Sequence, residues 1–294
     1  MMKCVKSSEA CGSGGALVDL HVHTTASDGT CSPAEAVRLA HDLGLAAIAV
    51  TDHDTAAGYQ EAAREGASLG VEVVPGIEIS TVFLGPVHIL GYFIDPDSQA
   101  IRPVLDWVVQ DRDARNRKMA ALMAADGLDV DYDKMRQRFG DVIGRPHFAE
   151  VLIELGLARS VQDAFDRYIE KGQKYYQPRH FLSLERSIEI IRRSGGVAVL
   201  AHPYQYRLTE DELRSLIARC RDLGAQGMEC LYSGYSAEQS RRLLALAAEY
   251  GLQPTGGSDF HGSVKPHIAL GRGTGDLAVP YGYLEALRKL AGGK

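Results

Sequence analysis

Apolar positions in this chain come in short runs rich in β-branched residues, and most runs are followed by a stretch in which apolar residues recur every three to four positions. A switch from period two to period 3.6, repeated along the chain, predicts strands each followed by a covering helix. Seven runs read as strands: residues 16–23 (ALVDLHVH), 46–54 (AAIAVTDHD), 71–80 (VEVVPGIEIS), 86–93 (PVHILGYF), 196–203 (GVAVLAHP), 227–232 (GMECLY) and 253–261 (QPTGGSDFH). Such alternation builds a parallel sheet or barrel wrapped by helices, and seven strands point to a distorted barrel.

Residues 97–181 keep the helical period without a convincing strand and are broken at Gly127, Gly140, Gly144 and Gly156. They read as a helical insertion of short helices that caps one barrel face. The expected organisation is a disordered leader over 1–15, a barrel over 16–96 and 182–294, and the insertion between them. No internal repeat interrupts it, and LEALRKLAGGK at the C-terminus reads as a closing helix with a loose tail.

Composition narrows the class without changing this outline. A chain of 294 residues, 45% hydrophobic and 24% charged, is globular in character, which excludes a fibrous or disordered protein. The net charge of −6 argues against a broad nucleic-acid or membrane surface, so stable binding of duplex nucleic acid is not expected and an anionic substrate is captured locally. Five cysteines without a CxxC pair suit reduced thiols. The first fifteen residues lack the apolar segment of a signal peptide and no later run is long enough to span a bilayer, which makes a cytoplasmic location the expectation.

The candidate chemistry lies where strands run out. Six of the ten histidines, His21, His23, His53, His88, His202 and His261, sit at strand ends together with Asp28, Glu78 and Asp259. The C-terminal ends of parallel barrel strands converge on one mouth, so ligands scattered in sequence become neighbours. His21 and His23 project to one side of an extended chain and can share a metal, although an HxH pair is equally satisfied by hydrogen bonding. Glu78 can bridge two cations through its two oxygens, or serve as a solvated turn residue. Asp259 and His261, behind Gly256 and Gly257, form a second clamp expected on an extended segment. His202, held extended by Pro203, is either a ligand or a satisfied core histidine.

Taken together, DLHVHTTASDG, AVTDHDT, PGIEIS, HILGYF, AHP and GSDFH resemble the polymerase and histidinol phosphatase (PHP) family of metal-dependent phosphoesterases over nearly the whole chain. The branch it is most similar to acts on nucleotides, including AMP and nucleoside 3′,5′-bisphosphates. That branch carries a helical insertion with a motif like RPHFAEVL at Arg145–Leu152 and an aspartate at the position of Asp28. The resemblance implies an α/β fold, a distorted (β/α)7 barrel with a helical insertion (cap) domain. It also implies two to three divalent metal ions, manganese, zinc or iron. One would be held by His21, His23, Glu78 and Asp259, a second by Asp28, His53 and His261, and a third by Glu78, His88 and His202.

The expected reaction is attack on phosphorus by hydroxide bridged between metals, with no protein nucleophile. The expected substrate is a small phosphorylated metabolite, a nucleoside monophosphate or 3′,5′-bisphosphate. Arg145 is the first choice for holding phosphate oxygens, followed by Lys174, with helix capping or ion pairing as the alternative for each. Arg112, Arg115 and Lys118 read as a solvated helix face. The proton for the leaving group is assigned to a metal-held water, Asp54, His267 or the cap residue His147. Asp52 is expected to orient a ligand imidazole, and Tyr175, Tyr176 and Tyr204 to pack in the core in preference to stacking on a base. Alternative readings are a phosphodiesterase acting on cyclic phosphates or short RNA, a histidinol phosphate phosphatase, disfavoured by Asp28 and the long cap, and a noncatalytic metal-binding scaffold.

Overall fold

A computed structural model describes residues 15–140 and 143–292; the expectation for the leader falls largely on 1–14, outside the described residues. The strand-helix rhythm of the N-terminal part appears as β1 (Leu17–Val22), α1 (Pro33–Asp42), β2 (Ala47–Val50), α2 (Tyr59–Leu69), β3 (Glu72–Val82) and β4 (Pro86–Tyr92). Next come α3 (Arg102–Ala125), α4 (Tyr132–Phe139), α5 (Arg145–Glu154), the single turn α6 (Val161–Ala164) and a π-helical turn over Phe165–Ile169. The chain returns to the sheet with β5 (Leu182–Ser183), α7 (Leu184–Arg193), β6 (Val197–Leu200), α8 (Glu210–Asp222), β7 (Gly227–Tyr232), α9 (Ala237–Tyr250), β8 (Gln253–Gly257), β9 (Val279–Pro280) and α10 (Tyr281–Leu290).

The sheet runs β8-β7-β6-β4-β3-β2-β1-β9, with β5 paired to the end of β3. It nearly closes into a barrel, because the segment after β8 returns to β1. There Asp259 N–H donates to His21 O at 2.9 Å and His23 N–H to Phe260 O at 2.9 Å. Across the barrel, Tyr92 Oη donates to Leu20 O at 2.8 Å, joining strands that are not neighbours in the sheet.

Three features differ from the sequence reading. The expectation of parallel strands fails at β4, which runs antiparallel to both β3 and β6. The three residues between β3 and β4 are too few for a crossover connection, so only a hairpin is possible. His88, near the start of β4, reaches the same mouth as residues at the ends of the other strands because of this reversal. β2 stops at Val50, though pairing continues as an isolated bridge between His53 and Glu78. The two-residue strands β5 and β9 are too short to leave a periodic trace.

The helix α3 joins two bodies of packed side chains. Leu105 and Val108, near its start, belong to a cluster with barrel residues such as Ile79, Ile89 and Leu200. Met119, Ala120 and Met123, near its end, pack with Tyr132, Ile143, Phe148 and Leu152 of the insertion. Its middle turns carry the buried polar residues Arg112, Arg115 and Asn116, and the Asn116 amide donates to Ile143 O at 2.8 Å. Among the described residues no helix is long and apolar enough to cross a membrane, and Cys31, Cys220 and Cys230 are free thiols.

Candidate metal centre

The barrel mouth gathers all nine side chains named from the sequence as metal ligands. Their donor atoms form four overlapping groups: His23, Asp28, His53 and His261; His21, His23 and Asp259; His21, Glu78 and His202; and His53, Glu78 and His88. His21 Nε2 lies 3.1 Å from His23 Nε2, 3.4 Å from Glu78 Oε2 and 3.6 Å from Asp259 Oδ1. His23 Nε2 lies 3.2 Å and 3.3 Å from the same two oxygens. Ligands about 2.1 Å from a first-row cation stand roughly 3.0–3.4 Å apart along the edges of its polyhedron, so this spacing fits one ion.

Glu78 divides its carboxylate between two donor sets. Oε2 faces His21, His23 and His53, whereas Oε1 lies 2.9 Å from His88 Nδ1 and 2.8 Å from His202 Nε2. Asp28 completes a further set, 3.4 Å from His261 Nε2 and 3.9 Å from His53 Nε2. His53 Nδ1 is buried 3.1 Å from Glu78 Oε2 yet makes no hydrogen bond. A cation between them would satisfy both atoms, and with hard carboxylates mixed with imidazoles the donor set fits manganese, zinc or iron.

Electrostatics leave the carboxylates ready to bind. Burial works against ionisation of Glu78, but His88, His53 and His21 hold it well below the usual carboxylate range. Burial likewise opposes Asp28, and His53 and His261 override it; for Asp259, Lys265 and His261 do so. His53, in contrast, is pushed down to about 3 by burial, so its ring is neutral and available as a ligand.

Supporting residues aim these groups. Glu229, buried in β7, accepts from His21 Nδ1 at 3.0 Å and from His202 N–H at 2.8 Å. Asp259 has a left-handed backbone (φ 57°) and His202 takes φ 19°, ψ 62°, so neither is extended as the sequence suggested. The hydrogen bond from Asp259 N–H to His21 O holds the first turn. The second is held by Glu229 on the His202 N–H and by Gln205 N–H donating to His202 O. Tyr232 Oη and Lys265 Nζ, at 2.6 and 2.7 Å, fix Asp259 Oδ2 and leave Oδ1 facing the imidazoles.

Above the ligands opens a cavity of about 410 Å³, lined on the barrel side by Asp28, His53, Ser80 and His88 and on the cap side by Arg112, Arg115, Arg145, Tyr176, Arg179 and Phe181 among others. Arg145 therefore stands in the cavity, its guanidinium 3.2 Å from Glu170 Oε1 and over the ring of Phe165. The other choices do not. Lys174 is exposed, paired with Asp126 at 2.5 Å and outside the lining. His147 is buried against Phe139, and its Nδ1 accepts the Gly144 N–H at 2.9 Å, so it caps α5. His267 is exposed in a turn and also outside the lining. Asp54 is buried under Arg112 and Arg179 and accepts from Ser80 N–H and Oγ. Burial opposes its ionisation, but the two guanidiniums hold it at about 2, too acidic to be a proton donor near neutral pH.

Asp52 touches no imidazole; it accepts from Thr24 N–H, Thr24 Oγ1 and Ser27 Oγ and so shapes the loop that carries Asp28. Arg112 and Arg115 are buried, unlike the exposed Lys118, which corrects the reading of a solvated face. Tyr176 lines the cavity, whereas Tyr175 packs in the insertion and Tyr204 packs against Tyr235. Sequence reasoning missed Arg179 and Glu229. A glutamate amid the apolar strand GMECLY was the available signal for Glu229, and the aperiodic loop around Arg179 held none.

The chain is similar to known proteins in sequence and fold. The PHP domain model matches residues 19–230. The 5′-3′ exoribonuclease Rnm of Salmonella typhimurium is 37% identical over 261 residues, covering 87% of this chain and 88% of the relative. The 3′,5′-nucleoside bisphosphate phosphatase of Chromobacterium violaceum is 33% identical over 248 residues, covering 83% and 89%. A crystal structure from Bifidobacterium adolescentis, of a protein described as a metal-dependent phosphoesterase, superposes with a TM-score of 0.82 at 32% identity, covering 92% of this chain and 95% of that one. With a family match over most of its length, relatives that cleave phosphate esters and a histidine-carboxylate cluster suited to cations, the chain belongs to the PHP family and is a metal-dependent phosphoric ester hydrolase.

Proposed function

We propose that this enzyme releases phosphate from small phosphorylated metabolites, nucleoside monophosphates or 3′,5′-bisphosphates, with two to three divalent cations held by the nine residues above. The observation that carries this reading is the split Glu78 carboxylate, since one acid facing two donor sets is what closely spaced cations of a hydrolytic site require. When bound, the cations neutralise phosphoryl oxygen charge and lower the pKa of water so that hydroxide is available near neutral pH. The protein's own groups position the ester. Arg145, reaching from the cap, holds phosphoryl oxygens through paired N–H donors, and Asp54 keeps Arg112 and Arg179 in place at the cavity wall. Neither Asp54 nor His267 donates the leaving-group proton, which comes from water.

A second reading, trimming of 5′ ends of short RNA, is favoured by one observation: the exposed rings of Trp107 and His180 lie 6.5 Å apart, and His180 stands in the chain between Arg179 and Phe181, which line the cavity. A panel of AMP, a nucleoside 3′,5′-bisphosphate, a ribose cyclic phosphate, histidinol phosphate and a short 5′-phosphorylated RNA, assayed with manganese, tests both. Highest kcat/KM on a nucleotide monoester is expected. Preference for RNA moves the assignment to the second reading, and no release from any member with full metal occupancy overturns both.

A further inference from the structure

The antiparallel ladder between β4 and β6 ends in an irregularity beside the candidate ligands. The pairing of Ile89 with Leu200 carries on by one residue to His88 and Ala201, and Ala201 N–H donates to His88 O at 3.2 Å. A hydrogen-bonded pair in such a ladder exchanges two bonds. Here the return bond runs through a side chain: Tyr206 Oη accepts from His88 N–H at 2.8 Å and donates to Ala201 O at 2.9 Å. A hydroxyl set between a donor and an acceptor keeps them farther apart than the about 2.9 Å of a direct bond, so the phenol acts as a wedge between the strand ends.

The wedge stands where two candidate ligands leave the sheet. His88 is itself the wedged residue of β4, and His202 follows the wedged Ala201. Their rings stand edge to face with centroids 5.2 Å apart, and the ring of Tyr206 meets that of His202 edge-on at 5.5 Å. Glu78 Oε1 lies 2.9 Å from His88 Nδ1 and 2.8 Å from His202 Nε2, and the two nitrogens are 3.4 Å apart. A direct bond from His88 N–H to Ala201 O would draw the two backbones together and shift both rings against Glu78.

The chain bends sharply to bring the phenol there. After His202 comes the turn Pro203–Tyr206, and Arg207 beyond it is left-handed at φ 52°, a conformation that a residue other than glycine adopts only where its surroundings impose it. The ring of Tyr206 packs against the barrel cluster that holds Ile89 and Leu200. Phenylalanine would fill that space equally well, so packing does not account for the hydroxyl.

We propose that Tyr206 is a positioning residue for one cation of the centre: its hydroxyl holds the ends of β4 and β6 apart so that His88 and His202 meet at Glu78 Oε1. This rests on reading the barrel mouth as a cation-binding centre. The His21, His23 and Asp259 side of the centre does not depend on this wedge.

The test is a competitive chelator titration with manganese on wild type, Tyr206→Phe and Tyr204→Phe, with folding followed by circular dichroism. Tyr206→Phe is expected to weaken one bound ion per chain by about 10- to 100-fold and to leave the others within about threefold of wild type. Tyr204→Phe changes a ring of the same turn that packs against Tyr235, away from the ladder, and should bind as wild type does. Adding Tyr206→Phe to His202→Ala should weaken manganese no further, because the two changes act on one donor set. Equal weakening of every ion, or full additivity in the double variant, overturns the proposal. Binding in wild type that Tyr206→Phe leaves unchanged overturns this inference alone, whereas wild type that holds no manganese overturns the cation-centre reading with it. A second measurement needs no variant and so survives a failure of Tyr206→Phe to fold. In metal-free wild type the His88 amide should exchange at least about 100-fold more slowly than in an unstructured chain, since its bond to Tyr206 is formed before any ion binds. Unprotected exchange there would mean that no wedge is preformed.

Discussion

Glu229 supports two candidate ligands at once, through the Nδ1 of His21 and the backbone N–H of His202. A carboxylate on the far nitrogen of a ligating imidazole fixes its tautomer and raises its basicity, and losing such a partner typically weakens metal affinity by about 10- to 100-fold. Glu229→Gln is expected to show a loss of that size for manganese in a competitive chelator titration, with the fold retained by circular dichroism. Unchanged affinity would remove Glu229 from the centre. The convergence of the candidate ligands was legible in sequence because imidazoles and carboxylates at strand ends have few other uses in such company. Residues whose role depends on a distant partner were not. Tyr206 looks like any tyrosine of a turn until His88 and Ala201 are seen on either side of its hydroxyl, and Asp54 looks like a free acid until Arg112 and Arg179 arrive from the insertion.

Strand β8 closes the mouth by lying against β1, and Gly257 makes that approach possible. A Cβ there would stand 2.9 Å from His21 Cα and closer still to its Cβ and amide nitrogen, none of which can yield without moving the strand. Gly257→Ala is therefore expected to destabilise the protein by about 1–3 kcal/mol and to lower metal content, read by denaturant unfolding and elemental analysis. Gly282→Ala, in α10 with nothing within 4 Å of the added carbon, is the control and should be neutral or slightly stabilising. Destabilisation of equal size in both variants would mean that the close approach at β1 carries no special weight. At this scale the sequence revealed strands and helices but not direction. Alternation with period two reads the same in either sense, and the cue to the reversal of β4 was the short link after β3. Direction decides where His88 lands, so its place at the mouth was expected for a partly mistaken reason.

For the molecule as a whole, the candidate ligands tie together segments more than two hundred residues apart, from His21 to His261, and metal binding is therefore linked to global stability. Without cations the mouth holds several ionised carboxylates out of water, compensated by imidazoles: burial opposes the charge on His21 and His23, yet the neighbouring carboxylates raise both above the ordinary value, while burial keeps His53 neutral. An ion that binds only the folded chain adds RT ln(1 + [L]/Kd), about 2.7 kcal/mol for one site at a free concentration one hundred times Kd. Stripping the protein with a chelator should lower its thermal midpoint and abolish ester hydrolysis. Titrating manganese back should restore both over the same concentration range. The unfolding transition should remain single, because α3 joins the barrel cluster to that of the insertion through one continuous helix. If activity returned on manganese addition with no change in the midpoint, the ions required for catalysis would have to bind somewhere that does not bridge the strands of this mouth, and the nine-residue cage would lose its place as the catalytic centre.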